Sequence, residues 1–336
     1  MAHLTIVTHH KAGEHAAWAV FGSLCCPRAL QTPESLIGRE LGLCLPSCRR
    51  QGIEIRFNGL GTSAVRNHTY LHFVRHPVNM IVSGYLYHRR CPEEWTRDAA
   101  LFHGASDSKE LVRQKGLFFG ADRARHAVSN LLADGDPAAN SSSYCALLQA
   151  RNESTGIRAE ALRSMSSGDG VRRMLLDRMR LQQSPLLARD GSVRMMMART
   201  LGGRLRHNRP ARLLGRLIEV CLSDVTPPTS ERARETWAVL ERRLHLNSSA
   251  FEPRLMGRSY EKHRSQGSRC SKLRLARLAR EALREQKHAD WLAHLHGYRD
   301  AATLDRAAEG AWEVALGGSC REEMSVDGGQ GTHCVA

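Results

Sequence analysis

Aromatic side chains are scarce, at 5% of the 336 residues. The core must therefore rest on aliphatic and small side chains. No basic patch interleaved with aromatics is present, and no nucleic-acid-binding motif, which disfavours a nucleic-acid partner. Acidic residues are also short, 34 against 49 Lys and Arg, for a net charge of +15. That imbalance suits an anionic partner such as a nucleotide or an acidic glycan. The arginines are scattered along the chain, so a solvated basic surface explains them equally well. No apolar run reaches the roughly 20 residues of a membrane helix. The N-terminus turns polar within a few residues and shows no signal peptide. No internal repeat is present. Hydrophobic residues at 42% and charged residues at 25% are ordinary for a globular chain, long enough for one large α/β domain or two small ones.

Ten cysteines are present. Cys25 and Cys26 lie in a helical pattern and read as core thiols. Cys44 and Cys48 have C-x-x-x-C spacing, but no second ligand pair follows at a zinc-site distance, so no metal site is expected. His68, His72 and His76, at intervals of four, read as solvated or satisfied histidines rather than ligands. As it stands the sequence reads as cytoplasmic. Against that, Asn67, Asn140, Asn152 and Asn247 each open an N-x-[ST] sequon, which suits a Golgi-lumenal protein whose anchor precedes this sequence.

Periodicity outlines an α/β chain. Residues 3–8 form a β-branched run read as a strand, and apolar positions from Ala16 to Leu24 recur at helical spacing. A short helix is expected at about 34–41. Residues 53–57 alternate as a second strand, and 69–74 form a third. Pro77 then sits at a helix's first position, ahead of a stripe of Val78, Ile81, Val82, Tyr85 and Leu86. Several helices are expected within 100–210, a late strand at 217–222, an amphipathic helix at 231–246 and a last basic helix near 272–284. Strands alternating with helices predict a parallel sheet of about four to five strands flanked by helices, with a helix-rich C-terminal half. Ligands of such sheets bind at the carboxyl ends of the strands.

Two loops open at those ends. After the first strand comes His10-Lys11-Ala12-Gly13-Glu14-His15. It combines backbone N–H groups, a glycine, a helix start and a mobile cation, which together suit a phosphate. The G-x-x-x-x-G-K-[ST] spacing is absent, which disfavours a nucleoside triphosphatase and a kinase. After the third strand, Arg75 offers a guanidinium fork. Ser83 follows eight residues later, just over two helical turns on, where its hydroxyl can face the same anion.

The stretch from Val74 to His88 closely resembles the 3′-phosphate signature of sulfotransferases that use 3′-phosphoadenosine 5′-phosphosulfate (PAPS), R-[DN]-P-x-x-x-x-x-S-x-Y. Arg75, Pro77, Ser83 and Tyr85 match in register, and His76 replaces the acidic or amide residue. The first loop resembles that family's 5′-phosphosulfate loop, P-K-[SAT]-G-T-T-W, at Lys11, Ala12 and Gly13, with Glu14 and His15 in place of the threonine pair. Tyr144 to Arg163 is similar to a helical segment of algal-type members, and 217–225 to the family's late strand. The C-terminal R-K-G-x-x-G-x-W loop is absent, and Lys262 to Gly267, with Arg264, stands in for it.

This resemblance implies a P-loop-like sulfotransferase domain over 1–302, followed by a disordered tail over 303–336. It implies PAPS as sulfuryl donor and 3′-phosphoadenosine 5′-phosphate (PAP) as spent cofactor. The acceptor would be a hydroxyl or amine, favourably a glycan or a small hydroxyl compound, with no metal required. Arg75, Ser83 and Arg264 would hold the nucleotide, and Ala12 to His15 the phosphosulfate. Lys11 would neutralise the leaving phosphate. A histidine suits the proton-accepting role at neutral pH. His68 is the leading candidate, with His9, His10, His15 and His72 also available. The alternative is a catalytically impaired relative that binds a nucleotide or polyanion, suggested by Glu14, His15 and His76.

Overall fold

In the computed structural model of the protein, the described residues are 3–26, 43–57, 60, 68–98, 143–150, 152–166, 170–183, 187–189, 215–225, 230–245 and 269–285. The elements in chain order are β1 (His3–Thr8), α1 (Glu14–Cys25), α2 (43–50), β2 (Ile53–Phe57), β3 (His68–Val74), α3 (Pro77–His88), α4 (Glu94–Arg97), α5 (Tyr144–Ala150), α6 (Glu153–Ser166), α7 (Val171–Gln183), β4 (Leu187–Arg189), β5 (Gly215–Cys221), α8 (Leu222–Val225), α9 (Glu231–Leu244) and α10 (Arg269–Glu285). They fall into two compact units. One comprises Met1–Arg75 with Leu176–Arg264, the other His76–Leu175 with Ser265–Ala336. The helix expected at 34–41, the Arg264 loop and the tail from 303 lie outside the described residues.

The first unit is α/β. Its sheet has five strands in the order β2-β1-β3-β5-β4, every neighbouring pair parallel. Side chains alternate across it, as strand geometry demands. Ile6, Leu71, Phe73, Ile218 and Val220 bury one face together with Val20 and Phe21 of α1 and Trp237 and Leu240 of α9. Val7, Tyr70 and Leu217 bury the other face with Leu60 and Leu181 of α7. Burial on both faces explains why β1, β3 and β5 read as apolar runs. Helix α9 starts at Ser230, whose side chain accepts from Ala233 N, as a helix cap should.

The cysteine reading is corrected here. Cys25 and Cys26, at the end of α1, are not free core thiols. They form disulfides with Cys48 and Cys44 of α2. Residues 44 and 48 are one turn apart on α2 and present one ridge to α1.

The second unit packs helices. Leu275, Ala276, Ala279, Ala282 and Leu283 bury one side of α10, which packs on α3 and α6. Arg274 and Arg277 stay outside, as the basic stripe predicted. Helices α3 and α6 approach closely through reciprocal glycines. Gly84 of α3 faces the Glu160 carboxylate, and a Cβ on Gly156 of α6 would lie 2.5 Å from the Tyr85 ring. A further disulfide joins Cys91 to Cys145.

The paired disulfides close nested loops, of separation 23 and 18. Removing both by C44S/C48S should cost about 3 kcal/mol through the regained freedom of the unfolded chain. Either single removal should cost well under half of that, because the other bond still closes nearly the same loop. Urea unfolding of the full chain checks this. Equal losses for the single and double variants would contradict it.

Candidate functional site

The sheet order places the candidate site. From β1 the chain first moves outward to β2 and then returns to β3 on β1's other side. The carboxyl ends of β1 and β3 therefore bound a crevice at a switch in strand order, where open parallel sheets bind ligands. The loop after β1 is tight. Ala12 N donates to His9 O at 2.8 Å, and Thr8 Oγ1 donates to Ala12 O at 3.1 Å. Lys11 and Gly13 both have positive φ, 62° and 92°. A side chain at Gly13 would meet Phe73 of β3, since its Cβ would lie 3.1 Å from Phe73 Cβ. Glycine is needed there on both counts.

Gly13 caps α1, and the first N–H bonded within the helix is that of Ala17, to Gly13 O at 2.8 Å. The N–H groups of the four preceding residues are those that a helix start directs outward, toward negative charge. Glu14 is exposed in the first turn. Its carboxylate suits the positive helix end and competes with any anion there.

Arg75 ties the second loop to the first. Its Nη1 donates to Lys11 O at 3.1 Å. The structure thus brings together Lys11, Ala12, Gly13 and Arg75. Ser83 is half-buried on α3 in the other unit, and Arg264 lies outside the described residues.

His68 is corrected. It is not in the loop before the strand but is the first residue of β3, paired in register with His3 and stacked on it at 4.8 Å between ring centroids. Six strand steps, roughly 20 Å, separate it from Val74 and the carboxyl edge. Burial, the neighbouring His3 and Arg56 lower its pKa against the opposing pull of Glu54. It stands at the wrong end of the sheet to serve Lys11 and Arg75.

Beneath the first loop lies a buried polar cluster not foreseen as such. His9 Nε2 and His72 Nε2 are 3.0 Å apart, so one ring must donate and the other accept. Asp177 of α7 accepts from Leu60 N at 2.7 Å and lies 4.0 Å from His9 Nε2. Beside His72 in register on β5, Glu219 accepts a fork from Arg178, with bonds of 2.9 and 2.8 Å. Burial holds His72 neutral and lowers its pKa to about 4, with Arg178 acting in the same direction and Glu219 opposing.

The second unit carries its own buried network. Glu160 of α6 accepts from Tyr144 OH at 2.6 Å and from Arg163 Nη2 at 2.9 Å, and lies 2.9 Å from His88 Nδ1. Burial alone would raise its pKa. The Arg163 and His88 charges and hydrogen bonds outweigh burial and hold it far below the ordinary carboxylate range. Burial and the Glu160 charge push Tyr144 well above its ordinary value.

The sequence signal for these groups was a charge on an apolar stripe. Asp177 lies between Met174 and Leu181, Glu160 beside Ile157 and Ala161, and Glu219 inside an apolar strand. Comparison with protein-family models, curated proteins and solved structures finds no match.

The His72 shift has a signed consequence. Its pKa is lower folded than unfolded, so its contribution to stability is complete above about pH 6.5 and is lost as pH falls toward about 4. Between pH 6.5 and 4.5 the loss should reach about 2–3 kcal/mol, before Glu160 begins to contribute its own. Urea unfolding across that window should show this slope in the wild type and a shallower one in His72→Gln. Parallel curves would disprove the assignment.

Proposed function

We propose that this chain is a PAPS-dependent sulfotransferase acting on a hydroxyl or amine acceptor, with carbohydrate hydroxyls favoured. The observation that carries the reading is the Arg75–Lys11 contact. It joins the two cation-bearing loops at the switch in strand order; the second loop resembles the family's motif at Arg75, Pro77, Ser83 and Tyr85, the first only at Lys11, Ala12 and Gly13. The finer fold reading, a P-loop-like sheet with a helix-rich C-terminal half, belongs to the same proposal.

In this reading the start of α1, with the N–H groups of Gly13, Glu14 and His15, receives the 5′-phosphosulfate; the expected Ala12 N–H is not among them, because it donates to His9 O. Arg75 takes part of the nucleotide's phosphate charge. The acceptor oxygen forms a bond to sulfur while the sulfur–oxygen bond to the 5′-phosphate breaks. The electron pair leaves on that phosphate, and Lys11 neutralises it. The acceptor's proton goes to a base near the carboxyl edge, for which His10 and His15 of the first loop are nearer in sequence to Lys11 than His68. No metal is invoked. The same reading places the chain in an oxidising lumen, since the disulfides Cys25–Cys48, Cys26–Cys44 and Cys91–Cys145 belong in such a compartment.

Glu14 supports a second reading, a relative that binds the nucleotide without transferring its sulfuryl group. Its exposed carboxylate stands where the family pattern has a neutral threonine.

Calorimetric titration with PAP, beside ATP, tests both readings. Wild type should prefer PAP. Arg75→Ala should bind PAP roughly 10- to 100-fold more weakly, the loss expected of a charge-assisted phosphate contact. A thermal unfolding curve on the same variant separates lost binding from a collapsed first loop. Lys11→Ala should slow transfer more than it weakens PAP binding. Binding without transfer in the wild type selects the second reading. Absence of PAP preference overturns both.

A further inference from the structure

Of the four sequons, that of Asn152 has its asparagine among the described residues, and its surroundings are suited to modification. Asn152 is exposed at the start of α6. Its Oδ1 accepts from Thr155 N at 2.9 Å, and its backbone oxygen accepts from Gly156 N at 3.0 Å. Asn152 is thus the helix cap, and the cap uses only the oxygen of the carboxamide. The amide nitrogen is the other arm of that planar fork, and neither capping bond uses it. The middle residue of the sequon, Glu153, is engaged sideways by Arg274 of α10. Arg274 is itself 65% exposed, so the pair lies at the surface rather than under it.

An independent observation bears on the compartment. The chain carries disulfides at Cys25–Cys48, Cys26–Cys44 and Cys91–Cys145, the last in the same unit as Asn152. Disulfides persist in the lumen of the secretory pathway, which is also where asparagine is glycosylated.

We infer that Asn152 is an N-glycosylation site, modified by an oligosaccharide from a lipid-linked diphosphate donor. Its Nδ2 forms a bond to the anomeric carbon of the first sugar, and the bond from that carbon to the diphosphate oxygen breaks. The diphosphate leaves with the electron pair, and the amide gives up one proton. Oδ1 is untouched, so the glycosylated residue still caps α6. The glycan leaves the surface at the helix start without displacing a buried group. This inference does not depend on the proposed activity.

The test expresses the full chain behind a cleavable secretory leader in a eukaryotic cell. Microsomal and secreted pools are treated with peptide N-glycosidase in heavy-oxygen water and digested, and the peptide containing Asn152 is read by mass spectrometry. Most copies should carry the heavy aspartate at 152 in the wild type and in Ser154→Thr. Ser154→Ala keeps the asparagine cap but removes the acceptor pattern. It should lose the label at 152 and one glycan from the total, while its thermal stability stays unchanged. Asn152 recovered unmodified from the disulfide-bonded wild type in either pool overturns the inference. Because both pools are read, a failure of export does not shield it.

Discussion

Parallel pairing of β1 with β3 is the constraint on which the candidate site depends. In an antiparallel pair the carboxyl ends of the two strands would lie at opposite ends of the sheet, and Lys11 and Arg75 would be separated by the length of the strands. The parallel register from His3 opposite His68 to Val7 opposite His72 brings both exits to one edge. With β2 on the far side of β1, that edge becomes a crevice. Glycine at position 13 then lets the first loop settle against Phe73. Arg75 closes the arrangement by donating to the Lys11 carbonyl. The guanidinium thus adds to the Ala12–His9 and Thr8–Ala12 bonds that hold the turn from which α1 starts.

Both units bury charge, and each satisfies it locally. An unpaired carboxylate in the position of Glu219 or Glu160 would cost several kcal/mol in lost hydration. Arg178 answers Glu219 with two bonds of suitable length, while Arg163, Tyr144 and His88 surround Glu160. The second case also requires absence of a side chain. Gly84 leaves the space that the Glu160 carboxylate fills, so a glycine on α3 and an acid on α6 form one packing unit. Such groups specify a single arrangement of helices more sharply than aliphatic contacts would.

Much of the sheet was legible. β1 and β2 follow the alternation and β-branching of their sequences, and β3 and β5 differ from expectation by one or two residues at their ends. Pro77 and its apolar stripe announced α3, and the amphipathic pattern announced α9. β4 was not legible, because three residues, Leu-Ala-Arg, carry no period. His68 shows a deeper limit. Its spacing placed it near a strand, but only the register tells which end of the sheet it occupies. The cysteines show another. Adjacent thiols in a helical pattern look like core filling, and spacing alone does not reveal that their partners lie on a second helix. The loops at Lys11 and Arg75 were legible as strand-to-helix connections, whereas their contact through a main-chain oxygen was not.

Cys25 and Cys26 are neighbours, and so four cysteines within 24 positions could pair in three ways. Successive residues at a helix end point about 100° apart, and Cys44 and Cys48 stand one turn apart on α2. The observed nested pattern, first with last and second with third, matches two helices laid side by side. Helix geometry and covalent pairing therefore specify the same arrangement of this corner. Oxidation before α1 and α2 have met leaves all three pairings open, and only the packed helices single out one of them.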